Sequence, residues 1–172
     1  MKEGSRLQKI PAVGFSAFSG TGKTTLLERL IGCLKQEGLR LAVVKHDAHD
    51  FTIDHPGKDS WRFAQAGADA VLISSGAKTA LIEQRPRTFE ENLAALRDVD
   101  LILVEGYKQQ DLPRVGLCRK ATGKGLPCDA AAYIALVTDD EALRARSAVP
   151  CFGFEDAAPL AEFLLRYTGL RR

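Results

Sequence analysis

The sequence predicts a three-layer α/β fold built on a mostly parallel sheet, and three observations carry that expectation. An apolar run, a glycine-rich turn and an amphipathic helical pattern follow one another at residues 10–16, 17–25 and 24–36. Further apolar runs then alternate with helical patterns to the end of the chain. The runs are nearly continuous in apolar residues, as expected of strands covered on both faces.

The elements follow in order. Residues 10–16 form a buried strand. Leu26, Leu27, Leu30, Ile31 and Leu34 recur at helical spacing, and Gly38 is a natural stop. Residues 39–45 are a second strand, so the first three elements make a βαβ unit with parallel strands. Residues 59–67 read as a short helix, with Trp61, Phe63 and Ala64 available for packing and Asp59 or Ser60 as its cap. Strands are expected at 70–75 and 79–83. Pro86 breaks the pattern before an amphipathic helix at 89–97. Residues 100–106 form an apolar strand that ends in Glu105 and Gly106. Residues 114–118 are a strand, and the glycine-rich stretch 121–129 is a mobile loop. Residues 133–140 are a late strand and turn, 149–154 a short edge strand, and 157–167 a closing helix. No internal repeat and no linker stand out, so residues 1–172 are read as one domain, with 1–9 as a frayed leader.

Composition narrows the function classes. A chain of 172 residues buries a sizeable core in one domain. A net charge of +2 implies no general basic surface for nucleic acid. There is no apolar run of about 18 residues to cross a membrane, and residues 1–9 lack the apolar centre of a secretion signal. The four cysteines, Cys33, Cys118, Cys128 and Cys151, form no C-x-x-C pair. They read as reduced thiols of a cytoplasmic protein, although Cys118 and Cys128 flank one loop.

The turn carries the strongest chemical signal. Ala17-Phe18-Ser19-Gly20-Thr21-Gly22-Lys23-Thr24-Thr25 fits the phosphate-binding (P-loop) pattern G-x-x-x-x-G-K-S/T, with Ala17 in place of the first glycine. Gly20 and Gly22 let backbone N–H groups approach phosphate oxygens, and the helix N-terminus adds positive potential. Lys23 supplies a cation for the β- and γ-phosphates, and Thr24 a hydroxyl for Mg²⁺. A glycine-rich turn with a capped helix is the bland alternative. The expected architecture is therefore P-loop NTPase-like.

In a parallel sheet, ligands gather at the carboxyl ends of the strands. Besides the loop, three polar clusters lie at such ends: residues 45–49, residues 105–108 and residues 138–140. Glu105 is placed to hold Mg²⁺ or orient water, or is a solvated strand-end carboxylate. His46 and His49 are three residues apart and suit hydrogen bonding to a ligand, or metal binding if a third ligand joins them. Asp54, Lys58 and Asp59 lie in a dense polar turn, where Lys58 can reach an anion. Asp139 or Asp140 can accept from guanine N1 and N2, but no N-K-x-D motif is present. Arg114, Arg119, Lys120 and Lys124 form a diffuse basic region, read as a solvated face or a contact for a phosphorylated ligand.

Together these pieces resemble the molybdopterin-guanine dinucleotide biosynthesis adapter family, the MobB type. The resemblance rests on residues 19–26, on Val44-Lys45-His46 with His49, on Asp54 followed by Pro56-Gly57-Lys58-Asp59-Ser60, and on residues 101–108. It runs from about Ala12 to Lys108 and fades beyond. It implies a GTP-binding homodimer with weak, Mg²⁺-dependent GTPase activity that assists a separate guanylyltransferase in attaching GMP to molybdopterin. By match, Ser19, Gly20, Thr21, Gly22, Lys23, Thr24 and Thr25 bind phosphate and Mg²⁺, and Glu105 sits beside the metal. His46, His49, Asp54, Lys58 and Asp59 line the adjacent nucleotide or cofactor surface. A small-molecule kinase, a metallochaperone GTPase using His46 and His49, and an interaction module with a vestigial loop are the rival readings.

Overall fold

The computed structural model describes residues 10–47 and 50–171. They form two compact units: one holds the chain up to His46 and again from Ala95, and the other spans Asp47–Ala94.

The larger unit is a six-stranded sheet. Its strands are β1 (Ala12–Ser16), β2 (Leu41–Lys45), β5 (Leu101–Glu105), β6 (Arg114–Cys118), β7 (Tyr133–Thr138) and β8 (Cys151–Phe152). They lie in the order β2-β5-β1-β6-β7-β8, and every neighbouring pair is parallel. All carboxyl ends therefore meet one edge. Strand alternation divides the core. Val13, Phe15, Leu101, Leu103, Val115, Leu117, Ala135 and Val137 face the helices α1 (Lys23–Gln36) and α5 (Ala157–Tyr167). Those helices fill that layer with Leu26, Leu27, Leu30, Leu34, Leu160, Ala161, Leu164 and Leu165. On the other face, Cys118, Tyr133 and Leu136 pack with Leu143 of α4 (Glu141–Arg146).

Helix α1 stops as expected. Gly38 is left-handed, its N–H bonds the Lys35 carbonyl, and Leu39 N–H reaches the Leu34 carbonyl. These two bonds make a Schellman motif.

The smaller unit holds α2 (Asp59–Gln65), β3 (Ala70–Ser74), β4 (Thr79–Glu83) and most of α3 (Phe89–Ala95). Strands β3 and β4 pair antiparallel in a sheet of their own, Ser74 opposite Thr79, and are not members of the parallel sheet. The turn is closed by Ser75, whose N–H bonds the Lys78 carbonyl at 2.9 Å. Helix α2 buries no side chain, and Phe63 is exposed, so the expected packing of this helix through Phe63 is absent. Its N-cap is Lys58, with no side-chain cap from Asp59 or Ser60.

Helix α4 was not expected from the sequence. Asp140 caps it, accepting from the N–H groups of Ala142 and Leu143 at 3.0 and 3.4 Å. The expected leader, residues 1–9, lies outside the described residues.

Candidate phosphate-binding site

The site grows from the end of β1. Thr21 is buried, and its hydroxyl donates to the Phe18 carbonyl at 2.7 Å, closing the loop on itself. Gly20 and Gly22 both stand at positive φ, 81° and 92°. Side chains disfavour that backbone region, so both places favour glycine. Gly22 is also the N-cap of α1, and its carbonyl takes the first helical bond, from Leu26 N–H at 3.1 Å. The N–H groups of Lys23, Thr24 and Thr25 precede that bond and have no carbonyl one turn behind them. Thr24 and Thr25 are exposed, as are Ser19 and Gly20. The loop thus offers an anion a row of backbone donors and a helix N-terminus.

Strand β5 lies directly beside β1, with Glu105 in register with Phe15 on one side and Lys45 on the other. The Lys23 ammonium pairs with the Glu105 carboxylate, and both side chains are largely buried. Next to them the ends of β2 and β5 nearly touch. His46 N–H bonds the Glu105 carbonyl at 2.9 Å, and a Cβ on Gly106 would come within 3.0 Å of the His46 carbonyl. The His46 ring lies against Tyr107, with centroids 4.6 Å apart. More positive charge flanks the loop: Lys108 and Lys124 approach the Phe18 ring at 5.5 and 5.9 Å.

The basic residues do not form one solvated face. Arg114 is 1% exposed. Its guanidinium donates to the carbonyls of Tyr107 and Gln110, each at 2.5 Å, and of Gly106 at 3.4 Å, tying down the segment after Glu105. Arg119 donates through Nε to the Thr21 carbonyl at 3.1 Å and packs 3.7 Å from the centroid of Phe154. It also pairs with Asp139 at 3.6 Å. From the sequence these two arginines read as a solvated face or a ligand contact, not as supports of the loop. Arg119 follows a strand end directly, so the rule that selected the other clusters would have found it. The burial of Arg114 had no such signal.

The remaining candidates divide. Asp140 caps α4, with both bonds going to Oδ1. Asp139 accepts from Lys120 N–H at 2.7 Å as well as pairing with Arg119. Asp54, Lys58 and Asp59 belong to the smaller unit. There Asp54 accepts from His55 N–H at 2.8 Å, Lys58 caps α2, and Asp59 pairs with Arg62 at 3.6 Å. His49 lies outside the described residues. Among the described residues there is no cluster of three or more metal-ligating side chains and no helix long and apolar enough to cross a membrane.

Beside the basic residues of the 119–130 segment lies a cavity of about 440 Å³, lined by Cys118, Lys120, Lys124, Leu126, Cys128 and Arg146 among others. Burial pushes the Cys118 thiol pKa up, and the charges of Asp140 and Asp139 add to the effect. Its Sγ donates to the Lys124 carbonyl at 3.3 Å, and all four cysteines are free.

A parallel sheet, a strand that runs into a glycine-rich loop and helix, and a carboxylate strand alongside define a protein of the P-loop NTPase-like α/β class. The sequence profile of the family described as molybdopterin guanine dinucleotide synthesis protein B, MobB, matches residues 12–139. The chain therefore belongs to the MobB family, and the match continues past Lys108. It is 40% identical over 123 residues to a molybdopterin-guanine dinucleotide biosynthesis adapter protein of Haemophilus influenzae, covering 69% of each chain. It is 41% identical over 120 residues to the adapter protein of that name in Escherichia coli, covering 66% of this chain and 69% of that one. The crystal structure of Bacillus subtilis MobB superposes with a TM-score of 0.73 at 27% identity, covering 92% of this chain and 97% of that one.

Proposed function

We propose that this protein is a cytoplasmic, GTP-binding adapter that assists a guanylyltransferase in attaching GMP to molybdopterin. The observation that carries the reading is the loop itself: Gly20 and Gly22 at positive φ, unpaired N–H groups at the start of α1, and Lys23 beside Glu105. The curated relatives' shared role as adapters supports the biosynthetic context.

The donor set suits Mg²⁺. The Thr24 hydroxyl and the Glu105 carboxylate are hard oxygen ligands at the loop, and these two residues would hold the ion. When bound, Mg²⁺ would supply positive charge to offset that of the phosphates. The chain's own part is binding: Ser19 to Thr25 wrap the phosphates, and Lys23 moves from Glu105 to the anion. Hydrolysis is slow on this reading, because fast phosphoryl transfer needs a placed nucleophile and a full set of charge stabilisers, often completed by a partner's arginine. His46, and by resemblance His49, Asp54, Lys58 and Asp59, contribute to the adjoining cofactor surface. A homodimer is part of the proposal, supported by the uncovered apolar side chains of Leu72, Ile73 and Leu81 on the β3–β4 hairpin.

Calorimetric titration with GTP and with ATP, each with Mg²⁺, tests the reading. GTP binds in preference, and Lys23→Ala weakens it at least ~10-fold. ATP preference turns the reading toward a kinase, and no nucleotide binding leaves an interaction module. Stimulation of GMP attachment by a purified guanylyltransferase then tests the adapter role.

A further inference from the structure

We infer that Arg119 is a positioning residue that sets the phosphate loop and couples it to the end of β7. The inference rests on the nucleotide-binding reading above and concerns how the loop is held ready.

The Thr21 carbonyl and the Gly22 N–H belong to one planar trans peptide, so they point in opposite directions. Whatever grips the carbonyl from outside turns the N–H inward. Arg119 grips it through Nε at 3.1 Å. The grip matters because glycine does little to fix its own backbone, and Gly20 and Gly22 flank this stretch. The Thr21 hydroxyl and the Gly22 carbonyl are tied on either side of this peptide, but Arg119 is the contact that fixes the direction of its carbonyl, and so of its N–H.

Arg119 is itself fixed from two other strand ends. The Phe154 ring, just beyond β8, stacks on the guanidinium at 3.7 Å. Asp139, just beyond β7, pairs with it at 3.6 Å, and Lys120 N–H holds the other oxygen of Asp139 at 2.7 Å. A Cβ on Gly22 would come within 3.3 Å of the Arg119 Nη2, so the guanidinium packs closely against the bare Gly22 backbone. Lysine cannot replace this arrangement: it lacks both the planar face and the Nε–H of the fork.

Inorganic tripolyphosphate is the probe, because it reads the cradle without a base. The experiment titrates tripolyphosphate, GTP and ATP into wild type, Arg119→Ala, Arg119→Lys and Asp139→Ala, with thermal unfolding as the check on folding. We expect Arg119→Ala to weaken tripolyphosphate and GTP alike, by about 10-fold, with the GTP-to-ATP ratio unchanged. Arg119→Lys keeps the charge and recovers little, whereas millimolar guanidinium recovers part of the loss in Arg119→Ala. Asp139→Ala gives the sharpest reading. Removing a negative charge near an anion site strengthens binding if only Coulomb forces act, and weakens it if Asp139 holds the clamp. We expect weakening. Unchanged tripolyphosphate binding in Arg119→Ala, full recovery in Arg119→Lys, or tighter binding in Asp139→Ala overturns the inference while leaving the phosphate loop intact. Failure of wild type to bind either probe overturns both. If Arg119→Ala does not fold, Arg119→Lys and Asp139→Ala decide.

Discussion

Lys23 and Glu105 form an ion pair between the first residue of α1 and the last residue of β5, so the cation that a phosphate needs already has a carboxylate partner. An anion entering the loop competes with Glu105 for that ammonium.

Glu105→Gln therefore separates two effects. It frees Lys23, so nucleotide without metal binds more tightly, by a few-fold to about 10-fold. It also removes a hard oxygen ligand, so the gain from adding Mg²⁺ shrinks. Titrations in EDTA and in excess Mg²⁺ check both signs. An identical Mg²⁺ gain in the variant and in wild type removes Glu105 from the metal site.

Asp140 holds the start of α4 through Oδ1. Asp140→Ala should cost about 1 kcal/mol through loss of the α4 cap, and Asp140→Asn far less. Urea unfolding measures the difference, and GTP over ATP preference should not change.

Arg114 is a buried cation held only by backbone carbonyls among the described contacts. Arg114→Ala takes the guanidinium from three carbonyls, of which, among the described residues, only that of Tyr107 keeps another donor, Gln110 N–H at 3.1 Å, and should cost about 3 kcal/mol. The segment after Glu105 should loosen with it. Limited proteolysis between residues 106 and 113 reads that loosening, with faster cleavage expected in the variant.

Asp100 gives a pH dependence. The Arg40 backbone N–H, donating at 2.6 Å, holds its carboxyl pKa below the usual carboxylate value, and the Arg40 charge assists. A carboxylate whose folded pKa is lowered stabilises the fold above its unfolded pKa, and that stability is lost as pH falls through the folded value. The gap in unfolding midpoint between wild type and Asp100→Asn should be constant near neutrality and close below about pH 4. A gap that widens in acid contradicts the assignment.

Much of this was legible because the signals were local. The β1, loop and α1 sequence carries its own periodicity and glycines, and β6 and α5 run over the residues expected of them. What was not legible depended on distant residues. Apolar runs at 70–75 and 79–83 read as strands, but nothing in them says that they pair only with each other. Helix α4 is too short for periodicity, and its one signal, Asp140 followed by Glu141, competed with a role at the nucleotide. Arg114 looked like a surface cation. It fits inside because Gly14, on the neighbouring strand, has no side chain: a Cβ there would come within 2.9 Å of the guanidinium.

The strand order has a consequence for synthesis. Strand β1 pairs only with β5 and β6, both encoded about 100 residues later. Contacts so distant in sequence form late. At roughly 5–20 residues per second on the ribosome, β1 waits on the order of 5–20 s with both of its edges bare. The nascent chain thus presents its phosphate loop early but cannot build the cradle around it until Cys118 has emerged. A chaperone that shields apolar strands has most to protect in that interval.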